Sequence, residues 1–301
     1  MAQSLTKRFR HWLTFTLANT LIVFFNVISR RLALFIGSWL GLTAWSLLPR
    51  DRHRIRRHLT LAWGNRVTER ERSRLGRSFF VNSGKNLVDI IRFRRHYHSE
   101  LKPLIECQGL EHWDEAYRKG RGVIGVTGHI GNFELLAVYL QSLEPYDIAV
   151  VGREMYDKRM DRLLVENRQA MGLTNIATTD SPRRFLQWLR DGKAMGVLID
   201  TDSFRVRSMF IPAFGRLSNT PVGQTLIGLK AGSAFVPGAC VRLPDDRYRV
   251  VFKAAIEYPP TGDSERDVYE ITLRCTRALE EIISEYPDQW IWLHNRWHTR
   301  P

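Results

Sequence analysis

Short apolar runs alternate with helical segments through the second half of the chain, and this alternation limits the folds that the sequence can adopt. Pro182 opens one of these helices, which Gly192 closes, and Pro221 opens another that ends at Gly232. A last long helix is predicted at residues 264–285. Six runs are predicted to be strands: 123–126, 148–151, 174–177, 195–199, 235–241 and 249–254. This order predicts an α/β fold, in which helices flank a mainly parallel sheet.

The first 49 residues differ from the rest because they contain the longest apolar stretches. Residues 12–29 carry no charge and are flanked by basic residues, but the run barely reaches the length that spans a membrane. A second apolar run follows at residues 32–48. Two spans would place Arg30 and Arg31 on the far side of the membrane, which the positive-inside rule disfavours. We expect residues 1–49 to form a membrane anchor of one spanning or deeply inserted helix and one interfacial helix, with a pair of buried core helices as the alternative.

The chain is strongly basic, with 45 Lys and Arg against 31 Asp and Glu and a formal net charge of +14. Basic residues far outnumber acidic ones at residues 50–95, directly after the apolar segment. A basic segment beside an apolar one favours an anionic membrane surface over nucleic acid as the partner. Within it, residues 69–93 have the apolar spacing of a helix. Residues 50–301 are expected to form one catalytic domain on the cytoplasmic side.

Several sequence motifs with well-known chemistry are absent or stand in the wrong context. The three cysteines, Cys107, Cys240 and Cys275, are too widely spaced to predict a disulfide framework or a zinc site. Residues 120–125 match the G-x-G-x-x-G pattern, but they precede a strand instead of following it, so they do not predict nucleotide binding. The P-loop, zincin and α/β-hydrolase motifs are absent from the sequence. We therefore expect neither a cofactor nor a metal.

A histidine lies on the predicted turn between the first strand of the alternation and the next helix. The carboxyl ends of parallel strands are where α/β proteins bind their ligands. With Gly131 in the turn and Asn132 as the helix cap, Glu134 falls in the first helical turn. Its carboxylate can then reach back towards His129 and hold the imidazole as a general base. The same residues also fit a surface histidine beside a Glu that only stabilises the helix.

The segment at residues 128–134, Gly-His-Ile-Gly-Asn-Phe-Glu, resembles the first motif of the lysophospholipid and lipid A biosynthesis acyltransferase family. Phe133 stands where members of that family often have Trp, and Thr201 stands where they often have Gln. Both departures concern which acceptor the protein uses. The resemblance runs from about residue 32 to the end. Further segments resemble the other motifs of the family in the same order: 151–153, 167–172, Asp200 after an apolar run, 211–215 before Thr220, and the Trp-rich ending at 286–297.

The resemblance implies an O-acyltransferase at the inner membrane, with its catalytic domain in the cytoplasm and membrane lipids as partners. It implies transfer of a fatty acyl chain from a thioester donor, acyl carrier protein or CoA, to a hydroxyl of a phosphorylated glycolipid. The expected acceptor is a lipid A precursor. No nucleic acid partner is expected.

The resemblance also implies roles for particular residues. His129 is expected to take the proton from the acceptor hydroxyl, while Glu134 orients and charges the imidazole. Arg168 and Arg153 are the candidate cations for a developing oxyanion or a substrate phosphate, and Asp200 is expected to orient one of them. The expected substrate-binding residues are Arg168, Arg153, Asp200, Asn132 and Gly131.

Two other functions are compatible with the sequence. The basic excess also suits a non-enzymatic protein that binds anionic lipid or nucleic acid. The histidine and its carboxylate also suit a thioesterase, in which water takes the place of the acceptor.

Overall fold

A computed structural model describes residues 5–203 and 206–301, with side chains described from residue 15 onwards. The helices are α1 (Leu5–Val27), α2 (Arg30–Leu47), α3 (Pro49–Trp63), α4 (Glu69–His96), α5 (Leu110–Arg118), α6 (Phe133–Gln141), α7 (Lys158–Ala170), α8 (Pro182–Arg190), α9 (Gly223–Ala231) and α10 (Ser264–Glu285). The strands are β1 (Ile105–Gln108), β2 (Val123–Thr127), β3 (Ile148–Gly152), β4 (Thr174–Ala177), β5 (Ala194–Leu198), β6 (Ser208–Ala213), β7 (Arg216–Pro221), β8 (Ala234–Arg242) and β9 (Tyr248–Phe252). The six predicted strands and the last long helix are confirmed.

Seven strands form one sheet in the order β1-β9-β8-β2-β5-β3-β4. Neighbouring strands are parallel except β8 and β9, which pair antiparallel. The predicted α/β fold with a mainly parallel sheet is therefore confirmed. Strand β2 lies at the centre of the sheet, so the turn that follows it lies between the end of β5 and the strand β8.

Helix α6 fixes the position of the residues that precede it. Its whole apolar stretch from Leu135 to Leu140 is buried against the sheet and α5. Burying one large aliphatic side chain contributes about 1.5–3 kcal/mol, so several together hold the helix firmly. The opposite face of the sheet is covered by α8, α10 and the C-terminal segment, whose Trp290 and Trp292 are buried.

Three strands, β1, β6 and β7, were not predicted from the sequence. Strand β1 is only four residues long and pairs with β9 at one edge of the sheet. Strands β6 and β7 form a separate antiparallel hairpin. Pro212 interrupts the apolar residues of β6, and in β7 the polar Asn219 is buried. Neither strand therefore shows a clear alternation of apolar and polar residues in the sequence.

Helix α2 packs closely along α4. A Cβ on Gly41 would lie 2.3 Å from the carbonyl oxygen of Phe80, and one on Gly84 would lie 2.1 Å from that of Gly37. At the start of α2, Arg30 forms a two-bond ion pair with the fully buried Asp89 of α4. The N-terminal helices are thus joined to the rest of the chain by packing as well as by sequence.

The outer surface of the N-terminal helices remains apolar. Its exposed large side chains include Leu17, Val27, Phe35, Trp39 and Leu47. Within the described part of the chain, no single helix is long and apolar enough to cross a membrane. Residues 30–47 and 49–66, which are bent by 89° relative to each other, are long and apolar enough when taken as a pair. An exposed apolar face is typical of a helix that contacts lipid. The spanning or inserted helix at residues 12–29 stays a prediction.

Candidate active site

The pairing of two neighbouring strands brings His129 and Asp200 together. Thr127 of β2 lies beside Leu198 of β5 in the parallel register, so the residues two positions further lie at the same level. The backbone N–H of His129 donates to Asp200 Oδ2 at 2.7 Å, and the ring Nδ1 lies 2.8 Å from Asp200 Oδ1. The imidazole is 25% exposed whereas the carboxylate is only 2% exposed. The pair can therefore meet a substrate through the imidazole alone.

Asp200 is held in its ionised form. Burial by itself raises the pKa of this carboxyl, but the hydrogen bonds and charge of His129 and the indole N–H of Trp290, at 2.8 Å, outweigh it and lower the pKa to about 2. An ionised carboxylate at Nδ1 keeps a proton on that nitrogen and leaves Nε2 as an acceptor. This is the arrangement of a general base.

The predicted turn and helix cap are both present. Gly131 has a φ of +58°, and a Cβ there would lie 2.0 Å from the carbonyl oxygen of Cys240, so only glycine fits. Its N–H donates to the carbonyl of Gln289 at 3.0 Å. Asn132 donates its backbone N–H to Cys240, and its side chain caps the helix by accepting from Leu135 at 3.1 Å. We therefore propose that Gly131 and Asn132 hold the turn instead of binding substrate.

Glu134 does not supply the carboxylate at the imidazole, so the expected contact between Glu134 and His129 is wrong. It is buried at the start of α6 and forms two hydrogen bonds with Arg168, one of them at 2.9 Å from Arg168 Nε. The guanidinium also donates to Asn175 Oδ1 at 3.2 Å. The sequence expectation that Asp200 orients an arginine is wrong for the same reason: β5 brings Asp200 to the imidazole, while α6 directs Glu134 towards α7 and β4.

Arg153 lies outside both of these pairs. It follows β3 directly and is exposed. The neighbouring Gly152 faces Arg168, since a Cβ on Gly152 would lie 3.4 Å from Arg168 Nη1. Among the residues predicted to bind substrate, Arg168 is thus the cation built into the site, and Arg153 stays a prediction at its edge.

An apolar cavity lies between the sheet and α6, close to His129. It encloses about 570 Å³ with its open mouth included. Its lining runs from Thr127, Glu134 and Arg168 at the carboxyl edge of the sheet to the buried Trp113 of α5. The ring of Phe133 lines this cavity and lies 5.4 Å from the His129 ring, measured between centroids. An apolar group bound in this cavity would therefore have one end near the imidazole.

Sequence reasoning missed two residues that the C-terminal segment brings to the site. Trp290 and Trp292 of this segment are buried in the core, and the indole N–H of Trp290 also donates to Asp200. The backbone N–H of Ile291 donates to the carbonyl of His129 at 3.0 Å, and His294 lies with its ring 4.5 Å from the His129 ring. The only signal in the sequence was a histidine among tryptophans, which does not identify a partner.

Known proteins resemble this chain over most of its length. The lipid A biosynthesis palmitoleoyltransferase of Escherichia coli (strain K12) is 25% identical over 270 residues, covering 89% of this chain and 85% of that protein. The lipid A biosynthesis lauroyltransferase of the same organism is 25% identical over 272 residues, covering 88% and 85%. A phosphatidylinositol mannoside acyltransferase of Mycolicibacterium smegmatis is 24% identical over 205 residues, covering 66% and 64%.

The family model described as bacterial lipid A biosynthesis acyltransferase matches residues 3–299. The match spans the turn at His129, the segment around Asp200 and the C-terminal segment together. The resemblance inferred from ordered motifs is therefore confirmed, and the chain belongs to the bacterial lipid A biosynthesis acyltransferase family.

Proposed function

We propose that this acyltransferase moves a fatty acyl group from a thioester of acyl carrier protein or CoA to a hydroxyl of a phosphorylated lipid A precursor. We place the reaction at the cytoplasmic face of the inner membrane. The observation that carries the proposal is the His129–Asp200 pair beside an apolar cavity. A base that can activate a hydroxyl and a cavity that can hold an acyl chain are what this transfer needs.

The imidazole activates the acceptor. Nε2 of His129 takes the proton of the acceptor hydroxyl as its oxygen bonds to the thioester carbonyl carbon, and Asp200 stabilises the imidazolium. The tetrahedral intermediate then loses the sulfur, and the proton passes from His129 to the departing thiolate. No covalent bond to the enzyme is formed. Positioned proton transfer of this kind contributes roughly 10²–10⁴-fold to the rate.

Arg168 supplies positive charge near the acyl carbonyl. Glu134 and Asn175 hold its guanidinium at the cavity lining, and the N–H groups that they do not use can face the substrate. A fixed cation stabilises the oxyanion that develops as the carbonyl is attacked. We propose that Glu134 acts through Arg168, which it orients, and not through the imidazole.

The N-terminal helices support a membrane location. The apolar outer surface of α1 and α2 suits contact with lipid, and α3 carries exposed arginines such as Arg54 and Arg57 beside it. A lipid acceptor then reaches the site from the membrane, and a water-soluble thioester carrier reaches it from the cytoplasm.

The proposed reaction is tested by analysing lipids from cells with and without the gene by mass spectrometry. We expect the cells without it to lack one acyl chain of lipid A, and the purified protein to restore that chain from an acyl thioester. Free fatty acid released at the same rate without acceptor would instead indicate a thioesterase. Salt-sensitive lipid or nucleic acid binding without any acylated product would indicate a binding protein.

Shortening Trp113 is expected to move the acyl preference towards longer chains. Trp113 closes the cavity opposite the base, and a Cβ on Gly125 would already lie 3.0 Å from its ring. Each methylene newly buried contributes about 0.8 kcal/mol, so a two-carbon extension in Trp113→Leu should gain about tenfold in relative kcat/KM. The measurement is competition between lauroyl, myristoyl and palmitoyl donors. Trp188→Leu, at a tryptophan of α8 outside the cavity, is the control, and the same donor ranking in both variants would contradict this assignment.

A further inference from the structure

The C-terminal segment places a second imidazole beside the base. The rings of His294 and His129 lie 4.5 Å apart between centroids, at an angle of 50°. Backbone hydrogen bonds fix this position: His294 donates to the carbonyl of Ile291 at 3.1 Å, and Arg296 donates to that of His294 at 2.9 Å. The His294 ring is partly exposed, and within the described part of the chain its nitrogens have no hydrogen-bond partner. A fixed polar ring in contact with the His129 ring is placed to bind a polar group of the substrate.

The surroundings of the two rings indicate which substrate that is. Phe133, the other aromatic ring against His129, belongs to the lining of the apolar cavity, whereas His294 does not. A donor whose chain fills the cavity therefore approaches the imidazole from the Phe133 side. The acceptor hydroxyl has to reach Nε2 through the space that the donor leaves open. Asp200 already occupies Nδ1 of His129, and His294 is a second polar side chain that contacts the imidazole from outside the cavity lining.

We propose that His294 binds the acceptor, through a hydrogen bond to a sugar oxygen beside the attacked hydroxyl. This inference rests on the proposed function, because it needs a polar lipid headgroup as the acceptor. In this proposal His294 positions the acceptor. The donor chain then contacts the ring of Phe133, and the acceptor headgroup contacts the ring of His294.

The charge state of His294 suits a sugar more than a phosphate. Burial lowers the pKa of His294, and positive charge on His129, Arg296 or His58 lowers it further against the opposing carboxylate of Asp200. The ring is therefore neutral at neutral pH, so that it offers one N–H donor and one nitrogen acceptor. A sugar hydroxyl, which also donates and accepts, is the matching group. A neutral neighbour also leaves His129 free to become positively charged during the reaction.

The test separates the two substrates kinetically. His294→Ala should raise the KM for the lipid acceptor about tenfold, the effect of one lost hydrogen bond, while the KM for the acyl thioester changes less than about twofold. His294→Asn, which keeps a donor and an acceptor, should recover part of the loss. His298→Ala is the matched control, because His298 is exposed in the same segment. Thermal unfolding of each variant checks that the fold is kept.

Other outcomes would overturn the inference. A loss confined to kcat, or a parallel loss of donor hydrolysis by water, would mean that His294 acts on His129 itself. An unchanged acceptor KM in His294→Ala would mean that the ring contacts no substrate. A wild-type protein that acylates no lipid acceptor would refute the proposed function, which is a different result from an active enzyme that is indifferent to His294.

Discussion

Replacing His129 with Ala should lower kcat for acyl transfer by about 10³-fold or more, since a positioned general base contributes roughly 10²–10⁴-fold. The variant keeps the cavity and Arg168, so binding of the donor should change little. Its fold should also survive, because the imidazole is 25% exposed and lies on a turn that the backbone contacts of Gly131 and Asn132 maintain. Single-turnover acyl transfer from a thioester donor measures the chemical step directly.

A matched control for this variant is His298→Ala, which removes an exposed imidazole from the C-terminal segment. It should retain wild-type kcat. If His129→Ala also retained near-normal turnover, the base would have to be another group, and the assignment of the whole site would fail.

Asp200→Asn should be nearly as damaging, with kcat reduced by about 10³–10⁴-fold. The Asn amide can donate a hydrogen bond to Nδ1 of His129, which moves the ring proton to Nε2 and leaves no acceptor for the substrate hydroxyl. The uncharged side chain also no longer stabilises the imidazolium. Measuring kcat together with the ¹⁵N resonances of the His129 ring tests both the rate and the tautomer. Asp202→Asn is the control, because Asp202 binds Thr299 and not the imidazole.

Comparison with Glu134→Gln tests the corrected assignment of the two carboxylates. This variant weakens the ion pair with Arg168 but leaves the imidazole on Asp200, so the His129 tautomer should be unchanged even where kcat falls. A changed tautomer in Glu134→Gln, with a normal one in Asp200→Asn, would restore Glu134 as the partner of the imidazole.

The lowered pKa of Asp200 also sets the pH range in which the contact between Asp200 and His129 stabilises the fold. An aspartate with an ordinary pKa near 3.9 when unfolded, lowered to about 2 when folded, stabilises the fold above about pH 4, and this stabilisation is lost as the pH falls through about 2. The carboxylate therefore remains ionised at neutral pH. Any change in rate near neutral pH has to come from other groups.

The local features of the site could be predicted because they depend on neighbouring residues. The strand before His129, the turn at Gly131 and the cap at Asn132 follow from apolar runs, backbone freedom and side-chain capping within ten residues. Likewise α10 has the predicted bounds, because its apolar period and its acidic start are local. Strands β6 and β7 were missed, because Pro212 and Asn219 obscure their pattern and only their pairing makes them strands.

The sequence alone therefore determined an α/β acyltransferase with His129 on a turn at the end of a strand. It could not determine which carboxylate meets that imidazole. Asp200 lies 71 positions away in the chain and reaches His129 only because β5 lies beside β2 in the sheet. Glu134, although near in sequence, points to Arg168, and the contact of His294 requires the C-terminal segment to fold back over the turn. The order of the strands and the return of the C-terminal segment bring these residues together. The sequence could not show this, because a hydrogen bond depends on distance in space and not on distance along the chain.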